Sequence, residues 1–189
     1  GPSGWVRVSV STVIAQAVLA PSLPTLHERH PRLQLDIRAD DRIVDMARDG
    51  IDIAVRTGSP SGDQLVARPV GQLTRSLYAA PAYLRRHGRP HHVADLAGHR
   101  LLANSASPGL NHWPHGDPER PQVFVADGHT RSDSTAVVLA LALAGVGIGR
   151  IVDLAAQPAV VRGELERLAV DDLHSPPVPM YAVMLQERH

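Results

Sequence analysis

The feature that most constrains the fold is the segment 31–58, in which two strand patterns flank a short helical one. Residues 33–37 alternate between apolar and polar, as a half-buried strand requires. Residues 42–48 carry apolar side chains at helical spacing, preceded by two candidate N-caps, Asp40 and Asp41. A second apolar strand pattern follows at 51–55. We therefore predict a parallel strand–helix–strand unit with functional loops at the carboxyl ends of its strands.

Composition excludes several classes of site. The 189 residues include no cysteine, so disulfides, thiol nucleophiles and thiolate metal sites are excluded. All 19 basic residues are arginine, which excludes a lysine Schiff base and a P-loop lysine. The 19 acidic residues balance them, and with no basic tract the chain offers no electrostatic footprint for nucleic acid. No apolar run approaches the length of a membrane span.

The remaining patterns predict alternating strands and helices. Residues 5–10 predict a strand, and 12–30 a helix that kinks or restarts near Ala20 because prolines lie inside it. Residues 65–78 predict one strand or two collinear ones interrupted at 69–71, whereas 104–121 predicts a loop. Further elements are expected at 81–86 (helix), 93–97 (helix), 101–103 (strand), 123–125 (strand), 134–144 (helix), 148–152 (strand), 154–162 (helix), 165–170 (strand) and 178–185 (strand). The alternation has two points, near Arg75 and near Pro177, where the chain crosses from one lobe to another, which indicates two α/β lobes. Clefts between lobes are favoured sites of ligand binding.

Three other patterns carry little chemistry. The glycines at 145, 147 and 149 resemble a dinucleotide fingerprint, but they follow a helix and enter a strand, which is the reverse of the required order. We expect a helix C-cap at Gly145 and close backbone packing at the other two. Histidines near 87–99 and 112–115 lack helical ligand spacing with a nearby carboxylate, so no metal site is predicted. No nucleophile elbow is present, so we predict neither catalytic residues nor a cofactor.

In this order, the elements resemble the effector-binding domain of LysR-type transcriptional regulators. The resemblance rests on seven segments: VRVSVST, LHERHPRLQLDI, DRIVDMARDGIDIAVRTG, LVARPVGQLTRSLYAAPAYLRRHG, DLAGHRLL, RSDSTAVVLALALAGVGIG, and GELERLAV with VPMYAVMLQERH. It implies an α/β fold of two lobes like type 2 periplasmic binding proteins, each lobe a mixed sheet flanked by helices. The expected lobes are 4–74 with 179–189, and 75–178.

Three departures from the family pattern bear on function. The winged helix-turn-helix that family members carry is absent from this chain, so we do not expect the chain to bind DNA alone. The family continues past the final strand into a helix, so either part of the first lobe is uncovered or the natural protein is longer. Asp133–Ser134 replaces a common Asn-Asp pair, and the added carboxylate would disfavour an anionic effector.

The expected effector site combines residues at helix starts and strand ends. Ser11 and Thr12 open the first helix, where unpaired N–H groups favour a carboxylate, although plain N-capping is the alternative. Arg56 and Thr57 end a strand, and Arg56 either binds a carboxylate or pairs with an aspartate. With these we expect effector contacts from four further positions and from the two aspartates of the first loop: Asn104, Ser105, Asp133, Ser134, Asp40 and Asp41.

The resemblance predicts a cytoplasmic sensor rather than an enzyme. A small metabolite would bind between the lobes and alter DNA binding through the missing domain. The family implies a homodimer or higher homo-oligomer and no membrane partner. The alternative is a solute-binding protein that delivers ligand to a transporter, since the two share a fold. The effector's charge stays open: Arg56 favours an acid, whereas Asp133 favours an amine, an amino acid or a neutral compound.

Overall fold

The computed structural model describes residues 4–58 and 65–186. It divides into two compact units. The first unit holds the described residues up to 73 and from 178 onward, and the second unit holds 74–177. No helix among the described residues combines the length and apolar character that crossing a membrane demands.

A five-stranded mixed sheet forms the first unit, in the order β2-β1-β3-β12-β4. Its strands are β1 (Trp5–Val10), β2 (Gln34–Ala39), β3 (Ile53–Thr57), β4 (Leu65–Leu73) and β12 (Val178–Leu185). The strand β1 is parallel to both β2 and β3, while β12 is antiparallel to β3 and β4. Parallel strands are therefore confirmed for the segment 31–58, with β1 lying between its two strands.

The strand predicted at 65–78 divides at a different place from the one expected. β4 continues through Pro69 and Gly71, where a register shift against β12 leaves Val70 as an extra residue. Such a β-bulge tolerates a proline, which has no N–H to donate to the ladder. The chain leaves the strand only at Thr74, before β5 (Arg75–Ala79).

The first helical run changes helix type next to its prolines. It consists of α1 (Thr12–Ile14), a π-helical segment (Ala15–Leu19) and α2 (Ala20–Arg29), with a proline at the start of α2 and Pro24 inside it. Proline cannot donate to the carbonyl four residues earlier, and π-turns commonly absorb such a defect. The predicted restart near Ala20 is confirmed.

The helix predicted at 42–48 is wrong. Residues 41–50 form a loop that ends in turns, and Ile51 donates its N–H to the Met46 carbonyl. Asp40 and Asp41 therefore do not cap a helix at 42–48. Asp40 accepts the N–H of Arg42 two residues on, while Asp41 accepts hydrogen bonds from Thr12 instead. The hydrogen bonds from Thr12 to Asp41, which join distant parts of the chain, thus take the place of the local cap. The buried Met46 packs in a core cluster with Ile51, Ala54 and Val183 and so holds the loop in place.

Several short sheets and helices form the second unit. An antiparallel sheet has the order β10-β5-β11, with β10 (Gly149–Val152) and β11 (Glu166–Leu168) on either side of β5. β6 (Leu102–Asn104) is parallel to β9 (Thr130–Ser132), a strand that the sequence analysis missed. The helices are α3 (Pro81–His87), α4 (Thr135–Leu143) and α5 (Asp153–Val161), with a 3-10 segment at Val93–Gly98.

The loop predicted at 104–121 is wrong in part. A 3-10 turn at Pro108–Asn111 leads into β7 (His112–His115), which pairs antiparallel with β8 (Gln122–Val125). Trp113 is only 1% exposed, and its ring packs against that of Phe124 with the ring centroids 5.7 Å apart. Tertiary burial of one aromatic residue thus stabilises a hairpin in a segment whose composition favours a loop.

Two of the three glycines after α4, Gly145 and Gly147, have the structural roles expected of them, whereas the neighbours of Gly149 are side chains of Ile151 and Leu102. Gly145 has a φ of 79° directly after the C-cap, a conformation that glycine adopts without strain. At Gly147 an added Cβ would lie 2.5 Å from the Arg100 carbonyl oxygen. This close approach accompanies the bridge between Leu101 and Ile148 that links the parallel pair to the antiparallel sheet.

Candidate functional site

In the first unit, the carboxyl ends of β1, β2 and β3 meet at one edge of the sheet because the strands are parallel. The residues at and just after these ends were all predicted to contact an effector. They are Ser11 and Thr12 after β1, Asp40 and Asp41 after β2, and Arg56 and Thr57 at the end of β3. We name this set the first edge.

Two hydrogen bonds join Thr12 to Asp41 at the first edge. Asp41 accepts the Thr12 N–H at 3.0 Å on one carboxylate oxygen and the Thr12 hydroxyl at 2.8 Å on the other. Ser11 is the helix N-cap, and its hydroxyl accepts the Ile14 N–H at 3.3 Å. The Ser11 hydroxyl therefore caps the helix, which was the alternative to effector binding in the sequence analysis. Ser11 and Thr12 are both half-buried.

Arg56 is the cation of the first edge. Its guanidinium donates to the Val55 carbonyl at 3.2 Å, and among the described residues it forms no ion pair, so the alternative of a salt bridge to an aspartate is wrong. Burial lowers the pKa of Arg56, and the nearby charge of Asp40 opposes that shift. Asp40 pairs with Arg42, whose N–H holds the pKa of that carboxyl below its usual range. Thr57 is exposed.

A second edge lies in the second unit, where β6 and β9 end together and Asn104 pairs with Ser132. Asn104 is buried, and its side-chain oxygen accepts N–H groups of Ala106 and Ser107 at 2.8 and 2.7 Å. Its amide nitrogen is buried without a hydrogen-bond partner in the described part of the chain. An unused buried donor of this kind is what a bound acceptor would satisfy.

The remaining predicted residues of the second edge surround the start of α4. Ser134 is the N-cap, its hydroxyl accepting the Val137 N–H at 3.3 Å, and its own N–H donates to Ser132. Asp133 and Ser105 are more exposed than Asn104. The structure thus brings the predicted residues together as two separate sets, one in each unit.

Sequence reasoning missed two arginines of the second unit, Arg75 in β5 and Arg150 in β10. Both are half-buried, and the Arg150 Nε atom lacks a hydrogen-bond partner within the described residues. The available signal was the alternation of Ile148, Arg150 and Val152, which places a charge on the apolar face of a strand.

A cavity of about 150 Å³ lies apart from the predicted residues of the second unit. It is lined by residues that include Ser76, Arg167 and Asp171, and Arg167 donates to the Ser76 hydroxyl at 3.0 Å. None of the predicted effector residues lines it. Across residues 4–58 and 65–186, no group of three or more His, Asp or Glu side chains is arranged to hold a metal ion.

Comparison with solved structures places the fold. The regulatory domain of CrgA, a LysR-type transcriptional regulator from Neisseria meningitidis, superposes with a TM-score of 0.87 at 26% identity, over 97% of this chain and 90% of that one. The full-length Vibrio cholerae virulence activator AphB superposes with a TM-score of 0.82 at 24% identity, over 98% of this chain and 63% of that one. The predicted α/β fold, like that of periplasmic binding proteins, is confirmed.

Sequence comparison gives the same assignment. An uncharacterized HTH-type transcriptional regulator of Escherichia coli K12, YhjC, is 34% identical over 167 residues, which are 86% of this chain and 55% of that protein. The chain spans about half the length of the curated relatives it matches. A family model described as the LysR substrate binding domain matches residues 1–189. The chain therefore belongs to the LysR substrate binding domain family.

Proposed function

We propose that this chain is the regulatory, effector-binding part of a LysR-type transcription factor. The observation that carries the proposal is the family match over residues 1–189, together with relatives that are transcriptional regulators and of which the match covers 55–56%. DNA binding then belongs to another segment of a longer protein, which fits a chain whose formal charges sum to zero. Such a protein works in the cytoplasm, where its DNA lies.

Each edge carries part of the proposed set of effector contacts. The first edge offers the Thr12 hydroxyl and the Arg56 guanidinium, and the second edge offers the unused amide nitrogen of Asn104. Asp40, Asp41, Thr57, Ser105, Asp133 and the caps Ser11 and Ser134 complete the proposed set. A small molecule that binds one conformation more tightly shifts the population toward it, and the DNA-binding segment responds to that shift.

The chain forms a homodimer in this proposal. Two exposed elements of the first unit support it: α2 has no fully buried residue, and the edge strand β2 is mostly exposed, with Ile37 at 37%. Unpaired strand edges and exposed apolar side chains favour association with a second copy. Light scattering after gel filtration should give twice the 20.3 kDa chain mass, and a monomer at high micromolar concentration would contradict the dimer.

A thermal-shift screen against small carboxylic acids, amines, amino acids and neutral metabolites tests the effector site. A ligand at about 100 times its Kd stabilises a fold by about 2.7 kcal/mol, or on the order of 5–10 °C for a chain of this size. Thr12→Val removes one hydroxyl without changing shape, and Arg56→Met removes one charge at similar length. Both variants should reduce the shift that the best compound produces in the wild-type chain.

Arg48→Met is the matched control, since Arg48 is an exposed arginine of the same unit. It should keep the full shift. A folded chain that no compound stabilises would contradict effector binding. The alternative function, delivery of solute to a transporter, has no support among the named relatives, which are transcriptional regulators.

A further inference from the structure

Arg75 and Arg150 lie on one face of the antiparallel sheet in the second unit. Arg150 is directly opposite Leu77, and Arg75 is opposite Val152. Residues directly opposite each other in an antiparallel pair share a face, and diagonal neighbours lie within about 8 Å. The two arginines are therefore diagonal neighbours on the face that carries Leu77, a member of the core cluster around Trp113.

No carboxylate of the described residues neutralises this pair. Neither guanidinium takes part in an ion pair there. The nearest carboxylate in sequence, Asp153, accepts hydrogen bonds from the hydroxyls of Thr74 and Tyr78. Tyr78 belongs to the opposite face, among the residues that pack on α4 and α5.

The electrostatic environment of the pair follows from this arrangement. Burial, and secondly the charge of Arg75, lower the pKa of Arg150 to about 10, and burial alone lowers the pKa of Arg75. Two half-buried like charges without a counter-charge are unfavourable, and a buried donor without an acceptor adds to that cost. The Arg150 Nε atom is such a donor.

We propose that Arg75 and Arg150 bind a carboxylate group of the effector, so that the effector is a small organic acid. This inference rests on the proposed function and names its ligand class. A guanidinium presents a planar fork of donors that matches the two oxygens of a carboxylate. Asp133, whose charge favours an amine, is exposed, and a charge open to solvent is screened more than the half-buried arginine pair.

The test uses three single variants of the chain and a matched set of probes. The probes are small mono- and dicarboxylates such as succinate, their neutral amides such as succinamide, and the corresponding amines, at equal ionic strength. Arg150→Met and Arg75→Met remove one charge each at similar length. Arg120→Met is the control, because Arg120 is an exposed arginine of the same unit.

Two results are expected. Without probe, Arg150→Met and Arg75→Met should melt at or above the wild-type midpoint, because each removes an uncompensated charge. A carboxylate should raise the midpoint of the wild type and of Arg120→Met, with its neutral amide inert. In the two buried-site variants its Kd should be about 10- to 100-fold weaker, the range for a lost charge-assisted hydrogen bond.

Three outcomes would overturn the inference. If a carboxylate probe raises the melting midpoint of Arg150→Met and Arg75→Met as much as that of the wild type, the anion binds elsewhere. Stabilisation by amides or amines alone refutes the ligand class and leaves the proposed function standing. No stabilisation by any probe or by the wider metabolite screen rejects the inference together with the proposed function.

Discussion

Replacing Asp153 with asparagine should destabilise the second unit. The Asp153 carboxylate accepts the Tyr78 hydroxyl at 2.5 Å and the Thr74 hydroxyl on its other oxygen. An asparagine side chain would keep one acceptor oxygen and turn an NH₂ group toward the second hydroxyl, so one charge-assisted bond is lost and the other becomes neutral. Such bonds contribute about 1.5–3 kcal/mol each when the acceptor is ionised. Because Asp153 is partly exposed, we expect a loss of about 2 kcal/mol, near the low end of that range.

Urea unfolding and thermal melts measure this loss. A decrease of about 2 kcal/mol corresponds to roughly 4–8 °C in midpoint for a chain of this size. Combining Asp153→Asn with Tyr78→Phe should cost less than the sum of the single changes by about 1 kcal/mol, because both remove the same contact. Asp171→Asn is the control, since its ion pair with His92 is exposed, and it should change stability by less than about 0.5 kcal/mol.

The pH dependence of the same variant has a definite sign. Burial by itself raises the pKa of Asp153, but the hydrogen bonds from the hydroxyls of Thr74 and Tyr78 outweigh burial and leave that pKa lowered in the folded chain. A lowered carboxyl pKa stabilises the fold above the unfolded value near 3.8, and that contribution is lost as the pH falls through the folded pKa. The difference between wild type and Asp153→Asn should therefore narrow below pH 3.8. A variant as stable as the wild type at neutral pH, or an additive double-mutant cycle, would refute the reasoning.

Two further predictions concern packing and titration. Gly147→Ala should lower the free energy of unfolding in urea by about 1–3 kcal/mol, because the new Cβ would lie 2.5 Å from the Arg100 carbonyl oxygen. Gly109→Ala is the control and should lower it far less, because a Cβ there has no heavy atom within 4 Å. Equal losses in the two variants would contradict this explanation. The pKa of His99 is lowered from 6.5 by burial and by the charge of His87. The unfolded chain therefore takes up a proton first, so stability should fall as the pH drops below 6.5, and His99→Gln should weaken that dependence in melts at about pH 7.5 and about pH 5.5.

Local patterns in the sequence predicted most of the elements. Alternation predicted β1 and β2, and the uninterrupted apolar run after Ser134 predicted α4 with its cap. Proline placement predicted the restart of the first helix at Ala20. These features are set by neighbours within a few residues, so the sequence itself contains the information needed to predict them.

The sequence predicted several residues of the candidate site, but it did not predict the pair of half-buried arginines, Arg75 and Arg150. Strand ends and caps are visible in sequence, which is why Thr12 and Asn104 were named. The loop at 41–50 was predicted as a helix because the distant hydrogen-bond partner of Asp41 cannot be seen locally. Arg75 and Arg150 lie far apart in the sequence, so only strand pairing shows that they are neighbours.

The sequence by itself determined where strands and helices can begin and end, and which chemistry the chain lacks. Absent side chains exclude reactions wherever the chain folds, and local backbone preferences act through adjacent residues. The tertiary structure alone decided which of those elements persist, which strands pair and which charges among the described residues are left without a partner. Burial and pairing depend on residues remote in sequence, as the hairpin around Trp113 and the unneutralised Arg150 show.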